Sequence, residues 1–288
     1  MIEISDIRRA IKAGEIRPVK SLGQNFLADT GVADRIIGAL ELSERDTVIE
    51  IGPGVAALTE KLCREAGYVL AVEIDKRLVC ALQSKLSGFE NFKLIQGDIL
   101  KIDISDVLAS AGFSPSTEFK IVSNLPYYIT TPIIMKILEG DILPVKMVFM
   151  MQKEVAERIV ARPSTKAYSA LTVAVNYYAK PSKAFSVSPH CFIPQPGVES
   201  VVVVFDPYGK PPVDLLDRQS FFKVVRAAFA QRRKQLMNCL IHAGLLPNDK
   251  GFAGQVFEEV GLSVTVRGEE LDIGEFARLS NMISAGRG

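Results

Sequence analysis

The sequence is poor in everything that marks metal-bound, membrane-spanning or secreted proteins. Its 288 residues include two histidines and four cysteines, Cys63, Cys80, Cys191 and Cys239, and no two cysteines form a CxxC pair. Ligands so few and so scattered argue against a structural metal site. The cysteines read as reduced thiols of a cytoplasmic protein. No apolar run approaches the ~20 residues that cross a bilayer. The opening MIEISDIRRAIKAG carries Glu3 and Asp6 early and lacks an apolar core, unlike a secretory signal. Excess charge of one sign is missing as well: 34 Lys and Arg against 33 Asp and Glu leave a net charge of +1. Any basic surface must therefore be local. Repeats and low-complexity tracts are absent.

Apolar segments recur at similar intervals: TVIEIG (47–52), YVLAVEID (68–75), FKLIQGD (92–98), FKIVSNL (119–125) and VKMVFMM (145–151). Helix-like stretches such as ALTEKLCREAG (57–67) and KRLVCALQSKLSG (76–88) separate them. Near-continuous apolar strands alternating with helices predict an α/β fold, a doubly wound, mainly parallel sheet covered on both faces. A helix is expected at 168–178. KAFSVSP (183–189) and SVVVVF (200–205) then read as a hairpin at the end of that sheet, joined by the Pro-rich HCFIPQPGVE. DPYGKPP (206–212) is a turn-rich linker. It divides an expected domain at 1–206 from a smaller one at 207–288, whose 218–286 region reads as about four helices.

Ligands in open α/β sheets bind beyond the carboxyl ends of the strands, so the strand tips carry the functional information. The first tip, EIGPGVAALT, offers Glu50, Gly52 and Gly54; the second ends in Glu73 and Asp75 and the third in Asp98. Glycines there let the backbone turn sharply and approach a ligand. Gly52-x-Gly54-x-x-Ala57 also satisfies a loose dinucleotide fingerprint, with Glu73 placed as a ribose acid. The competing reading of the glycines alone is a turn into a helix. A P-loop is excluded because no Gly-Lys-Ser/Thr follows. Glu73 can bind ribose hydroxyls and Asp98 an adenine amino group. Together with Glu50 and the glycines they outline an adenosine pocket.

The fourth tip is NLPYYIT (124–130). An amino nitrogen on an aromatic base is a poor nucleophile because its lone pair is delocalised into the ring. The Asn124 side-chain oxygen and the Leu125 carbonyl can hold its hydrogens, Pro126 fixes the chain, and Tyr127 offers a face for stacking. Orientation and electrostatics of this kind suit methylation of an amino group from S-adenosylmethionine. The competing reading is a strand-end turn with a buried tyrosine.

With these motifs in hand, the chain resembles the small-subunit rRNA adenine dimethyltransferases, the KsgA family, from about Lys20 to its C-terminus. SLGQNFL (21–27) is similar to that family's N-terminal cofactor motif, and EIGPG, Glu73, Asp98 and NLPY follow in order. The resemblance implies that Gln24, Asn25 and the Leu27 backbone cover the methionine end of S-adenosylmethionine. It implies that Phe192, in HCFIPQPGVESVVVVF (190–205), stacks on the target base opposite Tyr127. FAQRRKQL (229–236) resembles the family's RNA-contacting helix, and RGEELDIGEFARLSN (267–281) its C-terminal helical segment. The implied activity is dimethylation of two adjacent adenosines near the 3′ end of small-subunit rRNA, in late subunit assembly; a monomer is the default expectation, and the scattered cysteines and histidines argue against a metal. One residue departs from the pattern: Ala56 stands where the family usually has glycine. Its tolerance is expected to come from the turn merging into a helix.

From Arg218 to Asn248 the chain has Arg218, Lys223, Arg226, Arg232, Arg233 and Lys234 and no acid. Beside an adenine site, such a run reads as a phosphate footprint rather than a solvated face. Arg226, Arg232, Arg233 and Lys234 are its strongest members, with Arg226, Arg233 and Lys234 expected on one helix surface. Arg8, Arg9, Lys12, Arg17 and Lys20 extend the candidate surface. Three further readings remain: a large-subunit rRNA adenine methyltransferase of the antibiotic-resistance type, a non-catalytic RNA-binding assembly factor, and an NAD-dependent oxidoreductase. The last leaves NLPY and GQNFL without a role.

Overall fold

The structure, a computed structural model, describes residues 23–231 and 233–286. They divide into two compact units. One runs to Ala156 and takes up Pro181–Pro207; the other comprises Glu157–Lys180 and the chain from Tyr208 onward.

The first unit begins with a two-residue strand, β1 (Phe26–Leu27), and helix α1 (Thr30–Leu40), whose N-terminus is capped by Asp29. The sheet follows: β2 (Thr47–Ile51), α2 (Thr59–Glu65), β3 (Tyr68–Glu73), α3 (Lys76–Lys85), β4 (Phe92–Gln96), α4 (Ile104–Ala109), β5 (Phe119–Asn124), α5 (Thr130–Leu138) and β6 (Lys146–Gln152). After α6 (Lys153–Ile159) and α7 (Ala170–Tyr178) come β7 (Ala179–Val187), β8 (Phe192–Ile193) and β9 (Ser200–Pro207). The sheet order is β4-β3-β2-β5-β6-β9-β7. The five strands from β4 to β6 are parallel, and β9 is antiparallel to β6.

The central strands lie under helices on both faces, and their sequences say why. Every residue of β2 is buried, as are the five residues from Val69 to Glu73 of β3. β-Branched and apolar side chains fill both faces, as a doubly covered parallel sheet requires. The strand order reverses between β2 and β5, which opens a crevice at their carboxyl ends. The expected hairpin is present as β7 and β9, neighbours at the sheet edge. Its Pro-rich connection has an unexpected part: β8 leaves the sheet and pairs antiparallel with β1, Leu27 opposite Phe192 and Phe26 opposite Ile193.

The second unit contains α7 and the helices α8 (Arg218–Ala230), α9 (Leu236–His242), α10 (Lys250–Glu259) and α11 (Ile273–Ala285). It differs from the expected division because α7 belongs here. Tyr177 and Tyr178 of α7 pack against Phe221 and Phe222 of α8 at ring-centroid distances of 5.5–6.0 Å. The buried Tyr168 hydroxyl donates to the Leu271 carbonyl at 2.7 Å. These contacts bury aromatic area that no local pattern assigns to a domain.

Candidate active site

A cavity of about 260 Å³ lies at the ends of β2, β3 and β5. Its walls include Gln24, Asn25 and Leu27; Glu50, Gly52 and Gly54; Glu73, Ile74 and Asp98; and Asn124, Leu125, Pro126, Tyr127 and Tyr128. The strand-tip residues singled out from the sequence, Asp75 excepted, are therefore in one place.

The turn after β2 explains its glycines. Gly52 has φ +66° and Gly54 φ +59°, conformations that cost an L-residue roughly 1–2 kcal/mol. A Cβ on Gly54 would also lie 3.2 Å from the Phe26 ring. The turn aims the Gly54 N–H at Glu73 Oε2, 3.3 Å away, while the Asp75 N–H donates to Glu73 Oε1 at 2.9 Å. Two backbone donors thus fix the Glu73 carboxylate, and each oxygen keeps a lone pair for a ligand. Burial still raises the Glu73 pKa, and these backbone donors oppose it.

Ala56 also lies in the left-handed region, at φ +69°. The expectation that the turn has merged into a helix by this point is wrong, since α2 starts three residues later at Thr59. Ala56 is held there by burial against Phe26, Ala28 and Val55, and it does not line the cavity.

Glu50 is 2% exposed, and its Oε2 has no hydrogen-bond partner among the described residues. Burial pushes its pKa up to about 8; the Glu73 carboxylate adds to the rise, and the Thr59 hydroxyl opposes it without reaching hydrogen-bond geometry. A buried carboxyl left with an unused oxygen beside a cavity is unusual enough to require an explanation.

The β1 segment closes one side. Gln24 Nε2 donates to Asp75 Oδ2 at 3.2 Å, so its amide sits at the tip of β3. The Arg77 guanidinium beside Asp75 holds that carboxyl down to about 2. Asp98 accepts from the Leu100 N–H at 3.0 Å and is partly buried.

Asn124 ends β5 with its Nδ2 donating to the Asn25 carbonyl at 2.9 Å. The reverse amide orientation would set two oxygens against each other, so this bond leaves Oδ1 as the free acceptor. The Leu125 N–H is tied to the Met150 carbonyl at 3.0 Å, which leaves the Leu125 carbonyl as the group able to face a ligand. Pro126 leads into a single 3-10 turn, Tyr127–Ile129, and the Tyr127 hydroxyl lies 2.8 Å from Ser200 Oγ.

Two expectations need correction. Phe192 is 3% exposed, packs with Leu27, Val32 and Ile36, and does not line the cavity. Its pairing opposite Leu27 turns both side chains to the same face of the β1–β8 ribbon, toward the core. FAQRRKQL is not a helix: α8 ends at Ala230 and α9 begins at Leu236, whose N–H donates to the Val266 carbonyl at 2.8 Å. Gln231 leaves the helical region at φ −133°, ψ 73°. Arg226 is therefore on α8 while Arg233 and Lys234 are in the turn beyond it; all three are exposed. Arg232 and the basic residues before Gly23 lie outside the described residues.

The sequence reading placed Asp75 at the tip of the second strand without giving it a role, and missed Tyr128 and Ser200. Tyr128, 55% exposed, lies on the cavity wall beside Tyr127 and was visible in the NLPYY run. Ser200 carried no local signal, because its partner is 73 residues away. Among the described residues no group of three His, Cys, Asp or Glu could hold a metal ion, and no helix is long and apolar enough to cross a membrane.

Comparison with known proteins places the chain in a family and a fold. A family model described as "Ribosomal RNA adenine dimethylase" matches residues 17–284. The chain is 46% identical over 267 residues to a "Ribosomal RNA small subunit methyltransferase A" of Listeria monocytogenes, covering 92% of this chain and 90% of that one. It is 47% identical over 268 residues to the protein of the same name from Geobacillus sp. (strain WCH70), covering 92% and 91%. A dimethyladenosine transferase from Plasmodium falciparum superposes with a TM-score of 0.75 at 27% identity, over 88% of this chain and 95% of that one. The 23S rRNA methyltransferase ErmE gives a TM-score of 0.70 at 23% identity, over 90% and 100%. The ErmE likeness speaks for the fold alone.

Proposed function

Since the chain belongs to the ribosomal RNA adenine dimethylase family, we propose that it dimethylates the amino groups of two adjacent adenosines near the 3′ end of small-subunit rRNA, as a late step of subunit assembly. The fold is that of the class I S-adenosylmethionine-dependent methyltransferases. The chain is an rRNA adenine dimethyltransferase.

The cavity residues fit S-adenosylmethionine as the methyl donor. Glu73 keeps acceptor capacity for the ribose hydroxyls, and Asp98 would take the adenine amino group. Gly52 and Gly54 let the backbone come close, and the unused Glu50 oxygen is a partner for the amino-acid end. Asn25 and Leu27 would cover that end, while Gln24 acts as the tether that holds their segment to the tip of β3. When bound, S-adenosylmethionine supplies a methyl group on a positively charged sulfur, electrophilic enough for a weak nitrogen nucleophile.

The single observation that carries the mechanism is the Asn124 amide, pinned through Nδ2 so that Oδ1 is left to accept. Oδ1 and the Leu125 carbonyl take the two hydrogens of the target amino group and turn its lone pair toward the methyl. Both acceptors favour the positive charge that develops on nitrogen. The proton leaves to water after transfer, so no strong base is required. The base must first leave its stack, and the Tyr127 ring offsets part of that cost; base–aromatic stacking contributes about 1–3 kcal/mol. Lys223 and Arg226 lie on successive turns of α8 away from its buried Phe221, Val224 and Val225, and with Arg233 and Lys234 they form a phosphate-binding surface on the helical unit.

The test is transfer from labelled S-adenosylmethionine to undermethylated small ribosomal subunits, with large subunits alongside and mass analysis of the nucleosides. Dimethyladenosine in small-subunit RNA alone is expected. Label in the large subunit would reassign the substrate, and no label with cofactor bound would make the protein a binding factor.

A further inference from the structure

Resting on the reading of Tyr127 as the platform for the target base, we propose that Ser200 is the positioning residue that fixes the Tyr127 ring for catalysis. Ser200 is the first residue of β9. Because β9 runs antiparallel to β6, its beginning reaches the edge where the parallel strands end, with Ser200 opposite Gln152. That placement brings a residue 0% exposed to within 2.8 Å of the Tyr127 hydroxyl. Either oxygen can donate.

The geometry gives the bond its consequence. Tyr127 begins a short 3-10 turn, so its backbone alone does not lock the side chain. A ring attached at Cβ and held again at Oη cannot swing about χ1, and Tyr127, partly exposed on the cavity wall, still presents surface to a base. Without the Ser200 hydroxyl, the half-buried phenol loses a partner and the ring gains freedom that must be removed at each encounter. The contribution is to orientation, not to cofactor binding. Ser200 touches no reacting atom in this scheme, and it acts only through Tyr127.

The test is a cycle of Ser200→Ala, Tyr127→Phe and the double variant, assayed on undermethylated small subunits with S-adenosylmethionine affinity measured separately. Each single substitution is expected to lower kcat at saturating RNA about five- to tenfold, the scale of one hydrogen bond. Cofactor affinity stays within about twofold of wild type, and the double variant is no slower than the slower single one. A wild-type kcat in Ser200→Ala overturns the proposal, as do losses that multiply in the double variant. Ser200→Cys keeps the volume but offers only a weak donor; it is expected to lose the same kcat and serves if Ser200→Ala does not fold. A wild-type protein that binds cofactor but transfers no methyl defeats the functional reading itself. An active wild type with an equally active Ser200→Ala defeats only the role of Ser200.

Discussion

The Asn124 side chain donates to the Asn25 backbone carbonyl across 99 residues of sequence, at 2.9 Å. This bond joins the β1 segment to the amide proposed to receive the substrate. It makes the two ends of the site depend on one another.

Removing that amide separates catalysis from binding. Asn124→Ala is expected to cost about 10²-fold or more in kcat, with S-adenosylmethionine affinity reduced at most about fivefold through the missing bond to Asn25. Asn124→Asp sets a carboxylate against the Asn25 carbonyl, so it should weaken cofactor binding further. Calorimetric titration beside single-turnover methylation distinguishes the two; full activity in Asn124→Ala would sink the mechanism.

Glu50 makes stability fall with rising pH. Its folded pKa of about 8 lies above the ordinary 4.5, so the folded state holds the proton longer than the unfolded chain. The neutral buried carboxyl is fully accommodated below pH 4.5, and the penalty grows as pH rises toward 8. Glu50→Gln cannot ionise. In thermal unfolding of the ligand-free protein, its advantage over wild type should widen between pH 5 and pH 8, by roughly 3–4 kcal/mol at most. A constant gap would mean that Glu50 does not titrate in this range.

Ala56 stores backbone strain outside the ligand's reach. Ala56→Gly relieves about 1–2 kcal/mol, but loses about 0.5–1 kcal/mol in backbone freedom and about 0.8 kcal/mol of methyl burial. Denaturant melts should therefore find it within about 1 kcal/mol of wild type. Ala56→Val, β-branched at positive φ, should be destabilised by about 2 kcal/mol or more. Cofactor affinity in Ala56→Gly should stay near wild type; a large gain would mean that the strain does reach the cavity.

Phe192 is predicted to matter for packing rather than stacking. Phe192→Leu keeps an apolar side chain in the core and should cost about 1–3 kcal/mol for the smaller volume and the cavity it leaves. Its kcat should change by less than about threefold, while Tyr127→Leu loses about tenfold or more. A Phe192→Leu enzyme that is stable but inactive would restore Phe192 to the base-binding site.

Arg226→Glu combined with Arg233→Glu should weaken RNA binding and leave cofactor affinity intact. Each phosphate that is no longer neutralised should reduce the slope of log affinity against log salt by about one. Filter binding across a salt series reads this directly, and an unchanged slope would return these residues to a solvated face.

Neighbouring residues were enough to point to the α/β alternation, the tips that line the cavity and the glycines of the first turn. These are local facts. A strand buried on both faces must be apolar throughout, a left-handed turn favours glycine, and a ligand-binding strand end needs polar atoms that packing does not. TVIEIGPG and FKIVSNLPY state all three within a few residues. Only in the folded chain does Asn124 find the Asn25 carbonyl, Tyr127 meet Ser200 and Phe192 turn into the core. Folding also breaks FAQRRKQL between two helices, although its composition suits a continuous one. Each outcome depends on a partner supplied by a distant strand or loop: the antiparallel β9, the β1–β8 ribbon, the Val266 carbonyl that receives the Leu236 N–H. Hydrogen bonds and buried area are decided between surfaces that meet only after folding, and no window of neighbouring residues records them.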